Sequence, residues 1–147
     1  MVSEHLEHLE VRVGTDVQSI EEVAASIAQF GEHYLRRLYT DHEVECSGGA
    51  GPDSAPGLAA RFAAKEATVK ILRLNDEFPG WTAIEVRRRP GGWCELELHR
   101  EAQRMAERAG VRQLSLSMSH GAGIATATVV GLFARAGGAG PEADSGR

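Results

Sequence analysis

The sequence has few cysteines, few aromatic residues and no excess of positive charge. Its two cysteines, Cys46 and Cys94, lie far apart and fit no metal-binding spacing, which predicts reduced thiols in a cytoplasmic protein. No apolar run reaches the roughly 18 residues of a membrane-spanning helix, and the first residues lack the pattern of a signal peptide. The formal net charge of −5 gives nucleic-acid binding no electrostatic support. We therefore expect a cytoplasmic protein that has neither a membrane nor a nucleic acid as its partner.

The composition is that of a globular domain, with 42% hydrophobic and 25% charged residues in a chain of 147. This length favours a single domain, which we place at residues 1–135. Residues 136–147 are rich in glycine and alanine and show no periodicity, so they are predicted to form a disordered tail.

Hydrophobic periodicity predicts two main helices and about five strands. Ser19 and Glu22 form a capping box that opens the first helix, whose apolar stripe continues to Leu38. The second helix is expected over residues 57–74, after a loop of glycine, serine and proline at 46–57. Alternating patterns predict strands near 9–17, 82–86, 94–98, 114–118 and 124–133, with a short helix at 101–109. These elements predict an α+β fold with the two main helices packed on a largely antiparallel sheet.

A carboxylate interrupts the apolar face of the second helix. Phe62, Glu66 and Val69 have the i, i+4, i+7 spacing of one helical face, so Glu66 is expected to be half buried. A carboxylate in this position needs a proton, a cation or a hydrogen-bond donor, so it could bind Mg²⁺ or accept a proton. The alternative is an ordinary surface ion pair with Lys70, worth roughly 0.3–0.5 kcal/mol.

The same helix is basic within an acidic protein. Glu66 is the only acidic residue of this helix. The helix also carries four basic residues, Arg61, Lys65, Lys70 and Arg73. This composition favours an anionic ligand, with Lys70 placed to neutralise a phosphate, but a solvated helix face has the same composition. The sequence alone leaves both interpretations open.

Two further positions carry possible chemistry. Asp16 follows Gly14-Thr15 at the end of the first strand, where it could bind a hard cation or be an ordinary acid before a helix N-terminus. His120 continues the apolar alternation of residues 114–118, and a lone histidine on such a face is more often hydrogen-bonded in the core than functional. The glycines after it would let a backbone approach a ligand closely, although no lysine follows them as in a phosphate-binding loop.

Taken in order, four segments of the chain resemble the holo-acyl-carrier-protein synthases, the small trimeric 4′-phosphopantetheinyl transferases. They are Gly14-Thr15-Asp16-Val17, Arg61-Phe62-Ala63-Ala64-Lys65-Glu66-Ala67 with Lys70, Trp81-Thr82-Ala83-Ile84-Glu85-Val86, and Leu116-Ser117-Met118-Ser119-His120. The resemblance extends from about Val11 to Val130, and its Phe-Ala-Ala-Lys-Glu-Ala element is highly specific.

The resemblance implies a Mg²⁺-dependent enzyme that moves 4′-phosphopantetheine from coenzyme A to a serine hydroxyl of an apo acyl-carrier protein, releasing adenosine 3′,5′-bisphosphate. It implies that Asp16 and Glu66 hold Mg²⁺ on the diphosphate, and that Lys70 faces the phosphates. Glu66, Lys70 and His120 are the expected catalytic residues, with Glu66 taking the serine proton. The residues expected to bind coenzyme A are Arg61, Lys65, Ser119, His120 and Gly121. The implied assembly is a homotrimer with its active sites at subunit interfaces.

Two departures from the family pattern bear on activity. Gly121 stands where many members have an acidic residue after the pocket histidine. The first helix carries Glu21 and Glu22 where the family usually has arginines that meet an acidic carrier, and like charges weaken such an encounter. We therefore expect either that the carrier is unusually neutral or that it docks through a hydrophobic patch such as Val23 and Ile27. The carrier could serve fatty-acid synthesis or, as the acidic helix slightly favours, a secondary-metabolite synthase.

Two other functions stay open from the sequence. A catalytically silent module of the same fold could hold a carrier or coenzyme A without transfer, an alternative that Gly121 and the acidic helix favour mildly. A Mg²⁺-dependent phosphate hydrolase is a more distant alternative.

Overall fold

The computed structural model describes residues 8–135, which contain five α-helices, five strands and two short 3₁₀ helices, at Pro52–Ser54 and Trp81–Ala83. The helices are α1 (Ile20–Phe30), α2 (Glu32–Leu38), α3 (Asp41–Ser47), α4 (Ala55–Leu72) and α5 (Arg100–Ala109). The strands are β1 (Leu9–Ser19), β2 (Ile84–Arg88), β3 (Cys94–Leu98), β4 (Val111–Gly121) and β5 (Ile124–Ala134). The tail predicted to be disordered, residues 136–147, lies outside the described part of the chain.

The strands form two antiparallel sheets. The larger has the order β1-β5-β4, and the smaller is the β2-β3 hairpin. In the larger sheet Asp16 of β1 lies opposite Ala127 of β5, which in turn lies opposite Met118 of β4. The α+β class and the antiparallel pairing expected from the sequence are therefore confirmed.

Helix α4 is the central element of the fold and is buried on nearly every side. Its small side chains let it lie close against the larger sheet, where long side chains would hold it away. The alanines buried along this helix are Ala55, Ala59, Ala60, Ala63, Ala64 and Ala67. Helix α4 packs across β1, β5 and β4. Side chains on its two flanks therefore face either the β1 edge or the β4 edge of the sheet.

The first predicted helix is interrupted. Gly31 ends α1 and separates it from α2 with a φ of 55°, a conformation that glycine adopts without a Cβ clash. A short helix that the sequence did not predict, α3, follows. Thr40 and Glu43 form a reciprocal capping box at its start, a pattern that was readable in the sequence. The loop expected from residue 46 is thus partly helical.

The apolar alternation of β1 faces away from α4. Val13 is 68% exposed, and Val11 and Val17 are also exposed, whereas Gly14 is buried and Asp16 is partly buried on the inner face. The same outer face of the sheet carries Ile124 and Val130, both exposed. Within residues 8–135, one apolar face of the main sheet therefore has nothing packed against it.

Among residues 8–135, no helix has the length and apolar character needed to cross a membrane.

Candidate active site

Strand β1 and helix α4 bring Asp16 next to Lys70. The Lys70 ammonium Nζ lies 3.2 Å from Asp16 Oδ1 and donates a hydrogen bond of 2.8 Å to the Thr15 carbonyl oxygen. Only 15% of the Asp16 side chain is exposed. Since β1 continues to Ser19, Asp16 lies within the strand rather than at its end, and its carboxylate faces α4.

Glu66 completes this cluster from the same helix. It lies one turn before Lys70 and is half buried, as its spacing with Phe62 predicted. Burial raises the pKa of the Glu66 carboxyl, the negative charge of Asp16 raises it further, and the Lys70 ammonium opposes both. Lys70 forms its salt bridge with Asp16, which argues against the simple Glu66–Lys70 surface pair. We call Asp16, Glu66 and Lys70 the acidic cluster.

Gly14 makes the close approach of β1 and α4 possible. A Cβ at this position would lie 2.5 Å from the Ala67 carbonyl oxygen and 2.7 Å from Ile71 Cγ2. The first of these atoms is helix backbone and cannot rotate away. The glycine of the Gly-Thr-Asp segment thus allows β1 to pack against α4.

We predict that Gly14→Ala destabilises the protein by about 1–3 kcal/mol, the usual cost of overpacking a close contact. Denaturant unfolding measures this effect. Gly51→Ala is the matched control, because nothing lies within 4 Å of a Cβ at Gly51. Equal stability of the two variants would contradict the packing role of Gly14.

Arg61 and His120 belong to a second cluster. Both line a cleft of about 400 Å³, together with Ser119, between α4 and the end of β4. Arg61 is only 6% exposed, its Nη1 donates to the Gly57 carbonyl oxygen at 3.1 Å, and its Nε has no hydrogen-bond partner among the described residues. A buried guanidinium with a free donor suits an anionic ligand. We call this site, with the exposed Gly121 beside it, the arginine cleft.

The two clusters lie on opposite sides of α4 within one chain. Arg61 and Glu66 are five residues apart, which places them about 140° apart around the helix axis. In the sheet, Asp16 is on β1 and His120 on β4 with β5 between them, so their backbones are about 10 Å apart or more. One chain therefore does not bring all the predicted site residues into one pocket.

The structure contradicts the expectation that Lys65 contacts coenzyme A. Lys65 and Glu43 are both 0% exposed, and Lys65 Nζ lies 2.7 Å from Glu43 Oε1. Lys65 also donates to the Trp81 carbonyl oxygen at 3.0 Å, so its ammonium faces the interior. The sequence placed Lys65 on a basic helix but could not show that a carboxylate from α3 meets it.

The predicted docking patch at Val23 and Ile27 is also wrong. Both side chains are buried in the core between α1 and α4. Their spacing is that of the inward stripe of an amphipathic helix, and the exposed side of α1 carries Glu21 and Glu22 instead.

Sequence reasoning missed Gln18, which follows Asp16 by two residues on the same face of β1. Its amide Nε2 donates to Asp16 Oδ2 at 2.7 Å. The period-two alternation of a strand would have indicated this neighbour.

A separate group of possible metal ligands lies on the hairpin. Ligand atoms of Glu85, Glu97 and His99 lie within 4.8 Å of one another. Arg87 contacts both glutamates, at 3.4 Å and 3.7 Å, and His99 Nε2 lies 3.2 Å from Glu85. We assign this group to an ion-pair network, because its carboxylates already have cationic partners.

Comparison with known proteins agrees with this fold. A family model described as the 4′-phosphopantetheinyl transferase superfamily matches residues 12–128. The chain belongs to this superfamily.

Relatives of the chain show which kind of enzyme within the superfamily it resembles. The chain is 39% identical over 117 residues to a holo-[acyl-carrier-protein] synthase of Dehalococcoides mccartyi strain CBDB1, covering 80% of this chain and 94% of that one. It is 36% identical over 127 residues to the holo-[acyl-carrier-protein] synthase of Herpetosiphon aurantiacus, covering 81% and 96%. The chain thus belongs with the holo-[acyl-carrier-protein] synthases, which are enzymes.

Solved structures of this type have the same fold. The Helicobacter pylori synthase in complex with coenzyme A has a TM-score of 0.70 at 26% identity, covering 82% of this chain and 99% of that one. A synthase–coenzyme A complex described as from Chronobacterium ammoniagenes has a TM-score of 0.73 at 26% identity, covering 86% and 99%.

Proposed function

We propose that the chain transfers 4′-phosphopantetheine from coenzyme A to a serine hydroxyl of an apo acyl-carrier protein. The observation that carries this proposal is the acidic cluster, in which a carboxylate with a raised pKa lies beside an aspartate and a lysine. The names of the relatives and the coenzyme A complexes of similar structures support the choice of substrates. The two free cysteines are consistent with a cytoplasmic location.

The donor set of the acidic cluster fits Mg²⁺. Asp16 and Glu66 offer carboxylate oxygens, and Mg²⁺ is usually held by one or two carboxylates together with substrate phosphates. When bound there, Mg²⁺ would neutralise the charge of the coenzyme A diphosphate.

The residues of the chain divide the remaining work. Glu66, directly or through a water, takes the proton from the serine hydroxyl, whose oxygen forms a bond to the β-phosphorus of coenzyme A. The bond from that phosphorus to the bridging oxygen breaks, and adenosine 3′,5′-bisphosphate leaves with the electron pair. Lys70, with 54% of its side chain exposed, can turn from Asp16 to the phosphates. The buried Arg61 and the exposed His120 would hold other parts of coenzyme A in the arginine cleft.

We further propose that a complete site needs two copies of the chain, assembled as a homotrimer. The separation of the two clusters across α4 supports this, because a neighbouring copy could supply the arginine cleft to the acidic cluster. The exposed valines of β1 support it as well, since an uncovered apolar sheet face is a typical subunit interface.

Val13→Glu should convert the oligomer to a folded monomer. If a neighbouring copy covers this sheet face, assembly would bury the new carboxylate, and burying an unpaired charge is costly. Light scattering coupled to size-exclusion chromatography gives the mass. The control is Gln103→Glu, which adds the same charge at an exposed position of α5. An unchanged assembly in Val13→Glu would refute the proposed interface.

Mixing two inactive variants tests whether a site spans two chains. Asp16→Asn and His120→Ala should each abolish most transfer, and subunits mixed by unfolding and refolding at equal amounts should regain activity. Random assembly restores about a quarter of the sites, because each site then draws Asp16 and His120 from different chains. No recovery in verified mixed oligomers would place both residues in one chain's site.

Mass spectrometry of the carrier distinguishes the possible functions. The protein is incubated with coenzyme A, Mg²⁺ and an apo carrier protein, and a phosphopantetheine increment on the carrier is expected. Binding of coenzyme A without an increment would favour the silent module, and cleavage of coenzyme A without a carrier would favour a hydrolase.

A further inference from the structure

Among the described side chains, Gln18 alone donates a hydrogen bond to Oδ2 of Asp16 in the acidic cluster. Its Nε2 donates to Asp16 Oδ2 at 2.7 Å, while Lys70 Nζ approaches the other oxygen, Oδ1, at 3.2 Å. Each oxygen of the Asp16 carboxylate therefore has one donor. The Gln18 bond is the shorter of the two and links residues of the same strand.

These two donors differ in how firmly they are placed. Lys70 has a long, exposed side chain, and an incoming phosphate competes for its ammonium. Gln18 is partly buried in β1, opposite Ala125, immediately before the Ser19 N-cap of α1. Its hydrogen bond to Asp16 does not involve Lys70.

The terminal torsion of an aspartate is broad, so a carboxylate without a fixed donor can rotate. The Gln18 hydrogen bond fixes Oδ2 and thereby leaves Oδ1 directed toward α4. Side chains that orient a metal-binding carboxylate in this way commonly change metal affinity 10–100-fold when they are removed.

We propose that Gln18 is a positioning residue for the divalent cation, acting through Asp16. This inference rests on the proposed function, because it takes the acidic cluster as the cation site. Gln18 donates its amide hydrogen to Asp16 and makes no bond to the reacting atoms.

The test measures Mn²⁺ binding to the assembled protein with coenzyme A present, by electron paramagnetic resonance of the free ion. Gln18→Leu, which keeps the bulk and removes the donor, should weaken Mn²⁺ binding 10–100-fold. Gln18→Glu keeps the shape and also lacks the donor at neutral pH, so it should not restore binding. The control is Gln29→Leu, on the exposed side of α1.

A structural role alone would change stability rather than cation affinity, so thermal unfolding is recorded for each variant. Positioning also predicts that the Mg²⁺ concentration for half-maximal transfer rises while the rate at saturating Mg²⁺ changes little. Wild-type affinity in Gln18→Leu would overturn the inference, and so would tighter binding in Gln18→Glu, which would make this residue a direct ligand. Wild-type protein that binds neither Mn²⁺ nor coenzyme A would contradict the proposed function itself.

Discussion

Glu66→Gln is expected to lower the rate of phosphopantetheine transfer by about 10²–10⁴-fold, the usual effect of removing a positioned general base. The amide has the same shape but cannot accept the serine proton, and it is a weaker ligand for a hard cation. Burial and the charge of Asp16, which raise the pKa of Glu66, make this carboxylate a better proton acceptor than an exposed glutamate. The measurement is the initial rate of carrier modification at saturating coenzyme A.

The control for this variant is Glu101→Gln, an exposed glutamate in the first turn of α5. It removes the same charge far from the acidic cluster, so its transfer rate should stay close to that of the unchanged protein. Full transfer activity in Glu66→Gln would remove the assignment of the base, even if Mg²⁺ still bound.

Glu43→Leu should be the most destabilising single change, at about 3–5 kcal/mol, because it leaves a buried ammonium without its partner. Glu43 also accepts hydrogen bonds from the backbone N–H groups of Thr40 at 2.9 Å and Val86 at 3.0 Å, and both would lose this acceptor. Burial already lowers the pKa of Lys65, and the Glu43 carboxylate opposes that effect. Without the carboxylate, the free energy of unfolding falls.

Denaturant unfolding at fixed protein concentration measures this loss of stability. The double variant Glu43→Leu with Lys65→Met tests whether the unpaired ammonium causes it. Replacing both charges removes the unpaired ammonium, so the double variant should be more stable than Glu43→Leu alone. The exposed pair Arg36–Glu32 is the contrast, and Arg36→Ala should cost at most about 1 kcal/mol. A Glu43→Leu effect as small as that of Arg36→Ala would show that the buried pair contributes little.

The acidic cluster could be foreseen because its signals are local. Glu66 falls on the apolar face that Phe62 and Val69 define, and the helix period fixes that relation wherever the helix packs. The Gly-Thr-Asp segment similarly has a strand period that turns Gly14 and Asp16 to one face. The residue spacing in β1 did not reveal which of its two faces packs against α4. The face with Gly14 and Asp16 does so, and the face with Val11, Val13 and Val17 does not.

Lys65 shows why local patterns fail for the interior. Its neighbours on α4 suggested a basic surface, but its partner Glu43 is 22 residues away on another helix. The prediction for Val23 and Ile27 was wrong for the same reason. An apolar stripe shows that a helix face will be buried, but it does not show which element buries it. A long side chain pairs with whatever the packing of other elements brings to its end.

The sequence by itself determined the class of the protein, the helix that carries Glu66 and Lys70, and the strand that carries Asp16. Only the tertiary structure decided that Arg61 and His120 lie on the other side of α4 from those acids. It also decided that Lys65 is buried in the core and that Gln18 donates a hydrogen bond to Asp16. The physical reason is that residue spacing fixes directions within one helix or strand. Distances between elements depend instead on how small residues such as Gly14 and Ala67 let those elements approach.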